Sequence, residues 1–164
     1  MINSDSVQVS IDIAVDPSTA FTVFTRDIDL WWRKDKQYRF NWRKQGVMQL
    51  DPKLGGVVEE RYDDGSAFVL GKILEWAPPS KLVFEWRSPN YQPGQVTTVA
   101  VMFDAIDTGT RATINHFGWD ALPADHPARH KLQDWDFILL WGNLWRMHCE
   151  TLKLLCEYFL KSYE

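Results

Sequence analysis

The sequence predicts an α+β domain: an antiparallel sheet covered by one long C-terminal helix, with two short helices after the first strand. Two observations carry that expectation. The 33 residues from Gly55 to Arg87 read as three strand-like runs joined by two compact turn signals. One signal is Asp63-Asp64-Gly65, whose Asp-Gly step supplies the positive φ of a tight hairpin. The other is Pro78-Pro79-Ser80, because neither proline can donate to a sheet ladder. A meander this rich in Val, Leu, Phe and Trp must be covered, and from about Trp135 to Ser162 apolar residues recur three or four apart. Phe137, Trp141, Leu144, His148, Leu152, Leu155 and Phe159 form that stripe, on a helix roughly 40 Å long.

The remaining elements follow in order. Val7, Val9, Ile11 and Ile13 alternate with polar residues, the pattern of a half-buried strand. Asp16-Pro17 starts a helix, with Asp as N-cap and Pro in the first turn, and Ala20, Phe21, Val23 and Phe24 give it an apolar face. A second short helix begins at Asp27 and carries Ile28, Trp31 and Trp32. Tyr38, Phe40 and Trp42 then alternate with Arg39, Asn41 and Arg43, which predicts an edge strand with its aromatics inward. Val47 to Leu50 is a further short strand. After the meander, Val96 to Phe103 and Arg111 to Phe117 form a hairpin around Asp107-Thr108-Gly109. Val99, Val101 and Phe103 mark one face, shared by Ala112, Ile114 and His116.

Composition narrows the function classes. At 164 residues the chain is most simply one domain, residues 1–164, with room for a real core. It is 45% hydrophobic with nine tryptophans, which excludes a disordered chain and points to a bulky or aromatic-lined interior. A net charge of −4 gives no general attraction to nucleic acid or anionic membrane. The N-terminus shows no signal-peptide pattern, and no run approaches the ~18 apolar residues of a membrane span. Cys149 and Cys156 sit about 10 Å apart along one helix, too far for a disulfide. Reduced thiols without an export signal place the chain in the cytoplasm.

Three spaced motifs carry a family resemblance: GG(x)3ER(x)2DG from Gly55 to Gly65, G(x)7PP(x)2LVF(x)W from Gly71 to Trp86, and GTR(x)4H(x)GW from Gly109 to Trp119. The element order is that of the helix-grip fold. The chain resembles the START-like superfamily of polyketide cyclases and lipid-transfer proteins. Within it, the chain is similar to the group of the C-terminal domain of the activator of the heat-shock-protein-90 ATPase. The resemblance implies a curved sheet gripping the long helix, with an apolar cavity between them. It also implies a possible protein partner, a chaperone. Such activators carry an extra N-terminal domain, for which 164 residues leave no room, so the chaperone role ranks below ligand binding.

The candidate site is the gap between sheet and helix. Trp76, Phe84, Trp86 and Met102 on the sheet, Trp119 after its last strand, and Trp141 and Trp145 on the helix are candidate lining residues for a hydrophobic or aromatic small molecule. The competing reading is that they only fill the core. His116 shares a face with Ile114, and His148 lies on the helix stripe; two inward imidazoles can orient a ligand or act as acid and base. Either is equally accounted for as a satisfied buried histidine. Glu59 and Arg61 share one face of their strand and Glu60 takes the other. Facing inward, Glu59 is an acid/base candidate; facing outward, it is half of a surface ion pair. His116, His148 and Glu59 are thus the candidates for a cyclase, dehydratase or hydrolase reaction, the rival to pure binding.

Trp31 to Lys44 holds six basic residues and five aromatics. That composition suits a single-stranded nucleic-acid platform, but strict alternation fits a solubilised sheet edge better. His126 and His130 are four apart, yet Pro127 argues against a zinc pair, and no phosphate loop or nucleophile elbow is present. No metal or cofactor is expected. A monomer or homodimer is.

Overall fold

The structure, a computed structural model, describes residues 6–129 and 134–159. Strand β1 (Ser6–Ile13) is followed by helices α1 (Pro17–Arg26) and α2 (Ile28–Trp31) and a single 3-10 turn at Lys36–Tyr38. Strands β2 (Val47–Leu50), β3 (Val57–Arg61), β4 (Ala67–Ala77), β5 (Lys81–Trp86), β6 (Thr97–Ile106) and β7 (Gly109–Phe117) come next. Two 3-10 turns, Trp119–Ala121 and Pro127–Arg129, lead to helix α3 (Asp134–Phe159).

All seven strands form one antiparallel sheet in the order β1-β7-β6-β5-β4-β3-β2. The two edges are therefore the first two strands of the chain. The α1–α2 excursion carries the backbone across, and the meander walks back to close against β1. Register places Val7, His116, Val99, Phe84 and Ile73 in one row across five strands, and all five are buried. α3 lies over this concave face, as the helix-grip expectation requires.

Local sequence explains each turn. Asp16 Oδ1 accepts the Thr19 N–H at 2.7 Å and Pro17 opens α1, so the predicted cap is the real one. In the β3–β4 connection Gly65 takes φ +84° and returns its N–H to Tyr62 O. Gly71 lies where β3 and β4 shift register, and a side chain on it would meet Glu85 Cβ of β5 at 2.4 Å, so only glycine lets β4 and β5 approach there.

The helix stripe departs slightly from the expected one. Its buried members are Phe137, Trp141, Trp145, His148, Cys149, Leu152 and Cys156, while Leu144 and Leu155 are only half-buried. The buried face is thus rotated toward the cysteines, which pack as small apolar groups. The last three residues of the predicted helix, 160–162, lie outside the described residues.

One expected element is absent. Tyr38 to Arg43 is a 3-10 turn followed by bends, not a strand. The edge beside β3 is already occupied by β2, so this segment has no ladder to join. Its Arg39 is turned into the protein rather than toward solvent, for the reason given below.

Candidate functional site

A pocket of about 660 Å³ lies between α3, the end of β5 and the segment after α2. The helix supplies Trp141, Leu144, Trp145, Met147 and His148 to one wall. Trp86, the last residue of β5, faces them, and Tyr38 and Phe40 close the side. The rings hold one another in place: Trp32 stacks on Trp86 at 5.7 Å and 15°, and Phe40 stacks on Phe68 at 5.0 Å and 10°. Trp141 meets Trp86 edge-on at 6.0 Å, so the walls present both faces and edges.

His116 sits behind this wall and is fully buried. Trp145 Nε1 donates to its Nδ1 at 3.1 Å, which leaves the ring proton on Nε2, 2.8 Å from Thr97 Oγ1. Trp119 Nε1 donates to the His116 carbonyl at 3.0 Å. Burial holds the imidazole pKa well below its ordinary value. Both nitrogens are committed, so the ring is a neutral structural node that does not reach the pocket.

His148 does line the pocket. Its Nδ1 accepts the Arg33 N–H at 3.4 Å, and the rings of Trp32, Tyr38, Trp31 and Trp145 surround it. Burial, and then the Arg33 and Arg39 cations, lower its pKa to about 3. The ring is neutral, with its proton on Nε2. Neither histidine is therefore poised to exchange protons near neutral pH.

The segment carrying Tyr38 and Phe40 is anchored by the residue between them. The Arg39 side chain is 2% exposed and ion-paired with Asp29 at 3.2 Å and Glu60 at 3.4 Å. Its other N–H groups reach the carbonyls of Arg33, Gly46 and Trp32. Asp29 also accepts the Met48 N–H at 2.8 Å, covering the outer edge of β2. Glu60 is fully buried and its Oε1 has no hydrogen-bond partner among the described residues.

The predicted residues divide accordingly. Trp86, Trp141, Trp145 and His148 line the pocket; His116 and Trp119 stand one layer behind it. Phe84 is a buried member of the sheet row and does not line the pocket. Trp76 packs on Phe21 of α1 at 5.2 Å, remote from the pocket wall. Met102 corrects the expectation: it is 43% exposed, because it alternates with the inward Val101 and Phe103 and so faces the outer side of the sheet. Glu59 also faces away, bonded to Arg61 at 2.8 Å and Gln49 at 2.7 Å. It is half of an ion pair on the face away from the gap, itself buried under Arg61 and Gln49, and does not line the pocket. Tyr38, Phe40, Leu144 and Met147 line the pocket without standing out in the sequence as site residues; the available signal was the alternation around Arg39. Among the described residues no three His, Cys, Asp or Glu side chains converge as metal ligands. His126 instead pins its own loop, accepting the Ala128 N–H at 3.0 Å and sitting 2.8 Å from Gln95 Oε1; His130 lies outside the described residues. Burial pushes the Cys149 and Cys156 thiols up to about 12. No helix of the described residues is long and apolar enough to cross a membrane.

The sequence pattern of the family described as activator of Hsp90 ATPase homolog 1-like protein matches residues 14–142. The chain belongs to that family. Among curated proteins, none matches the sequence. Similar solved structures include the Aha1 dimer from Colwellia psychrerythraea, with 14% identity, a TM-score of 0.64, and coverage of 93% of this chain and 96% of that one. A protein from Mesorhizobium loti has 18% identity and a TM-score of 0.62, covering 92% and 95% respectively. An HSP90 activator from Plasmodium falciparum has 22% identity and a TM-score of 0.53, covering 75% and 77%. At these identities the likeness establishes the fold alone, an α+β helix grip.

Proposed function

We propose that the domain binds a hydrophobic or aromatic small molecule in the pocket between sheet and C-terminal helix. The observation that supports this most is a 660 Å³ space whose walls are built from Trp86, Trp141, Trp145, Phe40 and Tyr38. The volume is within the range of sites for small ligands. Catalysis by His116 or His148 is disfavoured by their neutral, hydrogen-bonded states, which supports binding over chemistry. In the test, apolar aromatic compounds are titrated while tryptophan fluorescence is followed. Saturable quenching with one site per domain is expected, weakened by Trp141→Ala and unchanged by Lys81→Ala. A broad panel of such compounds giving no saturable signal would remove the reading.

A second reading rests on family membership: a module that acts on a chaperone of the Hsp90 class. The Plasmodium falciparum relative is named as an HSP90 activator. Under this reading the domain would raise the ATPase rate of an Hsp90 chaperone in a mixing assay, and pocket substitutions would leave that effect intact. An unchanged rate at saturating domain would argue against it.

A further inference from the structure

The pocket's polar inventory says more about its occupant than its volume does. We propose that the site selects an uncharged aryl compound bearing a hydrogen-bond acceptor, with that acceptor on the Nε2–H of His148. The proposal rests on the binding role argued above and names the ligand class that role would serve.

Charge comes first. Among the described lining residues only Arg39 carries a full charge. Its five N–H groups are spent on Asp29, Glu60 and three backbone carbonyls, so none remains for a ligand carboxylate or phosphate. An anion entering the pocket would leave water without a counter-charge, which is costly. A ligand cation would find favourable ring faces. Yet among the described residues no carboxylate lines the pocket, so a cation too would leave water without a counter-charge. The other polar groups on the wall, Gln37, Ser88, Asn90 and Asn143, are neutral.

The acceptor follows from tautomer. Because Nδ1 of His148 receives the Arg33 N–H, the ring proton is on Nε2. No described residue accepts a hydrogen bond from that nitrogen. The His148 ring is packed among Trp32, Tyr38 and Trp145, so it is a donor set in the aromatic part of the wall, and an occupant without an acceptor would leave it unpaired. A carbonyl or ether oxygen on an aromatic frame satisfies both the rings and the donor.

The test uses three probes of one shape near neutral pH: 2-acetylnaphthalene, 2-ethylnaphthalene and the 2-naphthoate anion, each measured by equilibrium dialysis. The ketone should bind about fivefold tighter than the hydrocarbon, the worth of one net hydrogen bond. The carboxylate should bind at least about tenfold weaker than the ketone, reflecting its desolvation. In His148→Phe, checked for folding by its thermal transition, the ketone's advantage over the hydrocarbon should vanish while hydrocarbon binding persists. His148→Gln, which keeps an N–H donor, should restore part of it. Binding of the naphthoate as tight as the ketone, or a ketone advantage unchanged in His148→Phe, would overturn the inference and leave the binding role standing. Binding of none of the three would remove both.

Discussion

Trp145 donates its indole N–H to Nδ1 of His116 across 3.1 Å, so the long helix is bonded to the sheet through two buried side chains. Thr97 on the neighbouring strand completes the ring's hydrogen bonding. Three elements, α3, β7 and β6, thus meet at one neutral imidazole, and the family-like GTR(x)4H(x)GW spacing has a structural explanation.

Substituting that imidazole should therefore destabilise the fold. His116→Leu strands the Trp145 N–H and takes from the Thr97 hydroxyl its imidazole partner, and we expect a loss of about 2–5 kcal/mol in urea unfolding. Trp145→Phe should cost about 1 kcal/mol less in the His116→Leu background than alone, the coupling expected of a direct bond. Additive effects would mean the two side chains do not communicate.

Acid should weaken the protein before its carboxylates begin to titrate. Both His116 and His148 have folded pKa values below the ordinary 6.5, that of His148 at about 3. The unfolded chain therefore binds more protons than the native state below about pH 6.5, so the contribution is full above that pH and is lost as pH falls. Each histidine adds a slope of up to roughly 1.4 kcal/mol per pH unit. Urea midpoints measured from pH 7.5 down to pH 5 should fall accordingly. In His148→Phe one histidine's share of the slope should disappear; an unchanged slope would contradict the burial argument.

The Arg39 cluster should behave as a buried ion pair with one indispensable partner. Arg39→Met leaves the buried Glu60 carboxyl without its counter-charge, at an expected cost of about 3–5 kcal/mol. Arg39→Lys should recover little, because one ammonium cannot replace a planar fork serving five acceptors. Adding Glu60→Gln to Arg39→Met should return part of the loss. A double variant no better than the single one would show that the cost is in packing and not in charge.

Position on α3 should decide the price of losing a leucine. Leu152 is buried, and Leu152→Ala should cost about 2–5 kcal/mol through the cavity left behind. Leu154, two residues on, is 55% exposed, and Leu154→Ala should stay within about 0.5 kcal/mol. Thermal denaturation of the two variants side by side distinguishes them.

Much of the architecture was legible because its signals are local. Asp16-Pro17, Asp64-Gly65 and the period-two runs of β1, β6 and β7 each act within a few residues, and each produced the expected element. The Tyr38–Arg43 segment misled because its alternation is not a strand's: Trp42, expected inward, is 70% exposed, and Arg39, expected outward, is buried. Arg39 was read as a solubilising edge charge; its burial depends on Asp29 and Glu60, ten residues before it and 21 after, a meeting no short window displays. The same limit applies to the site. Trp86, Trp141, Trp145 and His148 follow from strand and helix phase, whereas the retreat of Trp76 depends on where α1 packs. Met102 was excluded by its own strand's alternation, which placed Val101 and Phe103 inside.

In the wall that carries Tyr38 and Phe40, holding and touching are assigned to adjacent residues. Arg39 grips the scaffold from the inside, while the residues on either side of it present their rings to the cavity. Such a wall can be re-sequenced at two positions without loosening its attachment. A lineage of these domains could then exchange one occupant for another by altering Tyr38 or Phe40 alone, leaving sheet, helix and anchor as inherited.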